Sequence, residues 1–186
     1  GQVQKKGTPT MGGVIIIAAI VIPTLLFARL NNVYVILLLV STLWMGSIGF
    51  IDDYIKAVKK RNLGLNSKQK LIMQFVFASL YLWVLYLLGD KATTITFPFF
   101  GAVDFKFFYY PLMVLFITFL VNAVNLTDGI DGLCGSVTTV ASLAFMMICI
   151  SISQYEQSIF AMALAGACVG FLVWNLHPAK VFMGDT

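Results

Sequence analysis

Charge is scarce in this chain. Asp, Glu, Lys and Arg make up 11% of its 186 residues, where soluble domains carry about 25%. With 60% apolar residues and a mean hydropathy of +0.92, that scarcity excludes a water-soluble globular domain. Histidine is nearly absent as well. The single His177, just before Pro178, makes no metal site alone and suits a loop or cap. The three cysteines show no paired spacing: Cys149 and Cys168 fall inside apolar runs and Cys134 at the mouth of one. A disulfide framework is therefore excluded, and packing accounts for all three. The roughly ten-residue alternating segments of a membrane β-barrel are also missing.

What is present is a set of six apolar runs, at residues 12–28, 33–51, 71–89, 111–126, 133–152 and 158–176. Each is near the roughly 17–25 helical residues that cross a hydrocarbon core about 30 Å thick. The fourth is the shortest and has room to begin earlier, among Phe105–Tyr110. The expected fold is an all-α polytopic bundle, one transmembrane domain over residues 1–186 in contact with the lipid bilayer. No run holds an Asp, Glu, Lys or Arg in its interior. That speaks against a transporter or channel, which places ionisable groups within the membrane and substrate near its midplane. Gly1 is not an initiator methionine, and Lys5 and Lys6 precede the first run without a signal-cleavage pattern. The chain is expected to be part of a larger protein.

Six spans make the connections alternate sides. Residues 1–11, 52–70, 127–132 and 177–186 carry nine of the twelve Lys and Arg, and residues 29–32, 90–110 and 153–157 carry three. The positive-inside rule assigns the first set to the cytoplasm, so the net charge of +4 needs no nucleic acid to explain it. On the other side, Thr93–Phe100 followed by Gly101 reads as a short hairpin or an interfacial aromatic patch. Pro23 is a candidate kink in the first span. Gly166 and Gly170, and Gly46 and Gly49, have the small-residue spacing of close helix contacts.

Five of the eight acidic residues, Asp52, Asp53, Asp128, Asp131 and Asp185, fall on the cytoplasmic set. Asp52 and Asp53 end the second span, where the helix dipole disfavours negative charge by ~0.3–1 kcal/mol each. If the helix continues, Lys56 lies three and four residues on and offsets part of that cost. A solvated helix end explains such a pair as readily as a cation site or a proton acceptor. Between the fourth and fifth spans runs Asn122-Ala-Val-Asn125-Leu-Thr-Asp128-Gly129-Ile130-Asp131-Gly132. Asp131 suits a helix cap, which leaves Asp128, Asn122 and Asn125 without a task. Amides and carboxylates beside glycines suit a sugar, a base or a phosphate. The last polar stretch holds Asn175, Lys180, Phe182, Gly184 and Asp185, and the first holds Lys5, Thr10 and a glycine-rich lead-in. Acids that gather on one membrane face, with Lys5, Lys56, Lys60 and Lys68 around them, fit metal-assisted phosphoryl transfer. A purely structural scaffold accounts for the apolar bundle but not for these acids.

Four motifs occur in one order: Lys5-x-Gly-Thr-Pro-Thr-Met-Gly-Gly, Asp52-Asp53-x-x-Lys56, the Asn122–Leu133 stretch, and Phe182-Met-Gly-Asp185. Together they resemble the phospho-N-acetylmuramoyl-pentapeptide transferase family, a branch of the polyprenyl-phosphate N-acetylhexosamine-1-phosphate transferases. The resemblance runs along essentially the whole chain. It implies a ten-span protein of the bacterial inner membrane, of which these six would be the second to seventh, with its site facing the cytoplasm. It implies transfer of phospho-MurNAc-pentapeptide from UDP-MurNAc-pentapeptide to undecaprenyl phosphate, giving lipid I and UMP, with Mg²⁺. Asp185 would be the metal ligand, and Asp52, with Asp53 beside it, would deprotonate or orient the lipid phosphate. Lys5, Lys68, Asn125 and Asp128 would line the phosphate and metal region, with Thr10, Lys56, Asn122 and Gly184 adding to substrate binding. Gly129, Ile130, Asp131, Asn175 and Phe182 would form the uridine pocket, with Phe182 stacking on uracil. Ile130 stands where the family usually has leucine. The family's first span, its last three and a histidine-rich loop are not in this sequence, so the chain alone is expected to be inactive. The resemblance leaves a homodimer open, and a sister enzyme that transfers GlcNAc-1-phosphate is the alternative within the superfamily.

Overall fold

A computed structural model describes residues 7–59 and 64–186. The expected Lys5, Lys60 and Arg61 lie outside the described residues. Among the described residues the regular structure is helical but for one hairpin: α1 (Gly13–Phe27), α2 (Val33–Val58), α3 (Ser67–Leu87), β1 (Thr94–Phe97), β2 (Gly101–Asp104), α4 (Tyr109–Thr127), α5 (Leu133–Ser151) and α6 (Tyr155–Asn175). A turn of 3-10 helix, Lys106–Phe108, leads into α4. Among the described residues, five helices are long and apolar enough to cross a membrane. The expected first span is the exception, because α1 has 15 residues and reaches only about 22 Å. Pro23 sits inside it without ending it.

Local chemistry sets the helix ends. Asn32 caps α2 by accepting the Tyr34 N–H at 3.0 Å. Asn66 and Gln69 form a reciprocal capping box at the start of α3. The first residue beyond the expected second span does not stop the helix. α2 runs on for 26 residues, to Val58, carrying Asp52, Asp53 and Lys56 on helical backbone. At about 1.5 Å per residue it is longer than the ~30 Å core requires. Hydroxyls inside the spans are satisfied by the carbonyl four residues back, as at Thr42, Thr118, Thr139 and Ser142. Where no water competes, this keeps a polar group from being left bare.

The chain forms two compact units, residues 1–65 with 124–186, and residues 66–123. In the first, α6 packs against α5, α1 and α2. One core cluster joins Ile16 and Ile20 of α1 to Phe171 of α6, and a second joins Ala28, Val35 and Leu39 with Val21, Ile159 and Phe160 around them. At the far end of α1, Arg29 donates its backbone N–H to Glu156 in the first turn of α6 at 2.6 Å, where negative charge suits the helix dipole.

The second unit holds α3, the hairpin and most of α4. Of the two readings for Thr93–Phe100, the hairpin is the one observed: Thr94 pairs with Asp104 and Phe97 with Gly101 in antiparallel register. The Thr93 hydroxyl donates to Asp104, holding that carboxyl below its usual range, with the Lys106 N–H assisting. Phe99 and Phe100 at the turn are exposed. Within this unit Asn122 donates to Gln74 of α3 at 2.7 Å and to the Thr118 carbonyl at 2.8 Å. An amide pair of this kind ties neighbouring helices where water is absent.

Candidate active site

The site is built where α2 ends, and glycine makes room for it. Gly46 and Gly49 lie one turn apart on α2. A Cβ on Gly49 would overlap the backbone carbonyl of Asp185, so that face of the helix is free for the chain that follows α6. That chain is held in place by backbone pairing with the N-terminal lead-in. Phe182 donates to the Pro9 carbonyl at 2.8 Å, Gly12 to the Phe182 carbonyl at 3.0 Å, and Gly13 to the Met183 carbonyl at 2.9 Å. Gly184 turns the chain with φ +77°, and a side chain there would meet Asp53 Oδ2 at 2.7 Å and the Thr10 hydroxyl at 3.0 Å. Both the conformation and the space call for glycine.

These constraints bring Asp185 to Asp52 and Asp53. Each of the three carboxylates offers one oxygen, and the three oxygens lie within 4.8 Å of one another. Asp52 is fully buried and Asp53 is 4% exposed. Asp52 Oδ1 accepts the Leu65 N–H at 2.7 Å, and Gly64 beside it has no room for a side chain because Asp52 fills that space. Lys56 bridges the other two acids: its Nζ is 2.6 Å from Asp52 Oδ2 and 2.9 Å from Asp185 Oδ2. Asp53 behaves differently from its neighbour. Its Oδ1 accepts the Asp185 N–H at 3.0 Å, and its Oδ2 accepts the Thr186 N–H at 2.9 Å and the Thr186 hydroxyl.

Oxygen donors alone, two of them buried, are the donor set of a hard divalent cation. Among the described residues, the three carboxylates are offset only in part by the Lys56 ammonium, and a cluster that stays negative favours a divalent ion. On those observations the residues fit Mg²⁺.

The turn between α4 and α5 belongs to the same unit. Asn175, 2% exposed, accepts the Gly132 N–H through Oδ1 and donates through Nδ2 to the Val181 carbonyl, both at 2.9 Å. Asp131 accepts the Ala179 N–H at 3.2 Å and lies 3.3 Å from His177 Nδ1. The cap expected of Asp131 is not made, because Gly132, at φ +75°, takes the N-cap position of α5 without a side-chain bond. Left-handed backbone there needs glycine and leaves Asp131 turned to the 177–179 loop. Asn125, in the last turn of α4, and Gly129 and Ile130 on the turn after it are exposed, while Asp128 and Phe182 are half-buried. Lys68 and Asn122 belong to the second unit, where Lys68 lies in the first turn of α3.

Reading the sequence alone missed several participants. Thr186 and Leu65 supply donors to the acids. Gly64 carries no signal of its own in the sequence, and Pro9 stood within the Lys5–Gly13 motif without a part of its own. In the second unit, apart from the acids, Gln74 was hidden as one polar residue in an apolar run, although an amide in a span signals a partner, here Asn122.

Comparison with known proteins is consistent along the chain. The glycosyl transferase family 4 model matches residues 35–186, and a phospho-N-acetylmuramoyl-pentapeptide-transferase signature matches residues 5–17. A relative from Halalkalibacterium halodurans is 47% identical over 187 residues, covering 98% of this chain and 57% of its own length. Relatives from Bacillus subtilis and Bacillus licheniformis are 47% and 48% identical with the same coverage. All three carry the name phospho-N-acetylmuramoyl-pentapeptide-transferase. The chain spans 57% of the length of these curated relatives.

Proposed function

This chain belongs to glycosyl transferase family 4, and on that premise we propose that it is part of a phospho-N-acetylmuramoyl-pentapeptide transferase of a bacterial cytoplasmic membrane. The whole protein would move phospho-MurNAc-pentapeptide from UDP-MurNAc-pentapeptide to undecaprenyl phosphate, giving lipid I and UMP. The observation that carries this reading is the meeting of Asp52, Asp53 and Asp185 at the end of a membrane helix, from positions more than 130 residues apart. Soluble nucleotide sugar and membrane lipid can both reach such a place only at the bilayer surface. The excess of Lys and Arg on the connections of that side supports a cytoplasmic orientation.

Mg²⁺ bound by Asp185 and Asp52 would neutralise charge on the pyrophosphate as its bond to UMP breaks. The chain's own residues do the rest. Asp53, which accepts the Asp185 and Thr186 N–H groups and the Thr186 hydroxyl, sets the position of Asp185. Lys56 balances the cluster and offers an ammonium to phosphate oxygens. Phe182, Asn125 in the last turn of α4, and the exposed Gly129 and Ile130 form the wall on which the nucleotide rests. The acceptor phosphate is already an anion and so a nucleophile, which favours direct in-line attack on the donor's sugar-linked phosphorus.

The deciding assay presents protein of the relatives' full length with UDP-MurNAc-pentapeptide or UDP-GlcNAc, each with undecaprenyl phosphate, and follows UMP release. Release with the first and not the second is expected. Preference for UDP-GlcNAc would move the protein to the sister transferases, and no UMP with either would remove the reading altogether.

A further inference from the structure

The geometry points to Lys56 as the resident counter-ion of the carboxylate cluster, a tethered cation that trades places with a divalent metal ion and does not bind alongside it. This rests on the reading of the cluster as a metal site. Lys56 Nζ sits between Asp52 Oδ2, at 2.6 Å, and Asp185 Oδ2, at 2.9 Å. Magnesium binds oxygens at about 2.0–2.1 Å, so an ion shared by these carboxylates would lie almost on top of the ammonium. Two cations that close repel one another strongly. One must leave.

An ordinary helix ion pair explains less than is observed. The i,i+4 spacing accounts for Lys56 on Asp52 but not for its bond to Asp185, 129 residues away. A buried carboxylate without a counter-charge is costly, and Asp52 is fully buried. Without metal, Lys56 supplies that charge and keeps Asp185 drawn to α2. Its own side chain is 44% exposed, so it has open space to swing into when the metal arrives. The displaced ammonium then stands at the rim of the cluster, where an anionic phosphate oxygen of either substrate would approach. Lys56 is in this sense a positioning residue that holds the site assembled in one state and meets phosphate in the other.

The test uses the full-length protein in nanodiscs with Mn²⁺ as the probe and no substrate. In Lys56→Met, Mn²⁺ titrated by electron paramagnetic resonance binds roughly two- to fivefold more tightly than in wild type, the range a partly exposed ion pair contributes. The same variant melts at a lower temperature in chelator, and saturating Mn²⁺ abolishes the difference, as linkage requires when only the metal-free state loses a contact. Lys56→Arg, which keeps the charge, stays near wild type in both measurements. Should Lys56→Met not fold, wild type alone decides: Mn²⁺ raises acylation of Lys56 relative to the exposed Lys59. Weaker or unchanged Mn²⁺ binding by Lys56→Met overturns the exchange, as does an equal melting deficit with and without metal, or Lys56 acylation that ignores Mn²⁺. Wild type that binds no Mn²⁺ overturns the metal reading itself. Wild type that binds Mn²⁺ with no response at Lys56 overturns this inference alone.

Discussion

Asp53 accepts the backbone N–H of Asp185 at 3.0 Å across 132 residues of sequence. Two adjacent acids on one helix therefore do different work: Asp53 holds the 185–186 chain, while Asp52 accepts the Leu65 N–H and pairs with Lys56. The same is true of the pair at either end of this hydrogen bond, because Asp185 is more exposed than Asp53, with a side chain 24% open.

Replacing the two should separate structure from chemistry. In Asp53→Asn, an amide NH₂ turned toward the donors of Thr186 or Asp185 breaks part of the set, at a cost of about 1–3 kcal/mol for buried groups left unpaired. Hydrogen exchange at the amides of Asp185 and Thr186 should accelerate. Asp185→Asn gives up an ion pair worth about 0–1 kcal/mol, so its melting temperature stays near wild type. UMP release should nonetheless fall about a hundredfold or more, as when a charge-stabilising group is lost. Equal melting temperatures for the two variants would contradict this division of labour.

A second contrast uses glycines of opposite surroundings. Gly49→Ala gains up to about 1 kcal/mol of helix propensity but sets its methyl into the Asp185 carbonyl. Overpacking typically costs about 1–3 kcal/mol, and the displaced chain carries Asp185 with it. Gly170→Ala meets nothing within 4 Å and should be neutral or stabilising. Thermal melts of both, with UMP release, give the check. Gly49→Ala with full activity would mean that the 184–186 chain does not rest on α2.

Direct attack by the lipid phosphate is open to a third test. Both oxygens of Asp53 are taken by the 185–186 chain and Asp52 Oδ1 by the Leu65 N–H, and Asp52 Oδ2 is the oxygen proposed for the metal, so direct attack is the expected route. Full-length protein incubated with donor labelled on the sugar-linked phosphate, without lipid acceptor, should yield no acid-stable, hydroxylamine-labile label. A stoichiometric phospho-aspartate would replace direct attack with a two-step route.

Much of this was legible in the sequence because a membrane leaves few choices. Apolar runs must be helices, and their ends must lie at water, so the spans after the first followed from hydropathy. Helix ends were less legible. Composition falls off at Asp52, yet α2 continues to Val58 because Lys56 compensates the acids from within the same helix. α1 was overestimated because Gly12 and Ala28 are apolar enough to extend a run but do not continue the helix. The division of roles between Asp52 and Asp53 could not be read at all. It depends on which carboxylate faces the backbone of residues 185–186, a matter of tertiary approach that Gly49 and Gly184 permit but do not announce. The cap that Asp131 suited in sequence is not made for a similar reason, since Gly132 takes the left-handed cap position.

Asn175 offers the sharpest test of how the side of the site proposed for the nucleotide is held. Its two amide atoms reach the Gly132 N–H and the Val181 carbonyl, so one side chain anchors both the turn before α5 and the loop after α6. Asn175→Ala abandons both bonds and should cost about 2–4 kcal/mol, since the bonds are buried. Asn175→Asp keeps the acceptor for Gly132 but sets a carboxylate oxygen against the Val181 carbonyl, so only the loop should loosen. Hydrogen exchange separates the outcomes: Gly132 stays protected in Asn175→Asp and opens in Asn175→Ala, while Lys180 and Val181, which donate to the Trp174 carbonyl, open in both. Because the loop leads to Phe182, the KM for the nucleotide donor should rise in both variants with kcat less affected. Protection of Lys180 and Val181 left intact in Asn175→Asp would show that the loop is anchored elsewhere, and that Asn175 serves the turn alone.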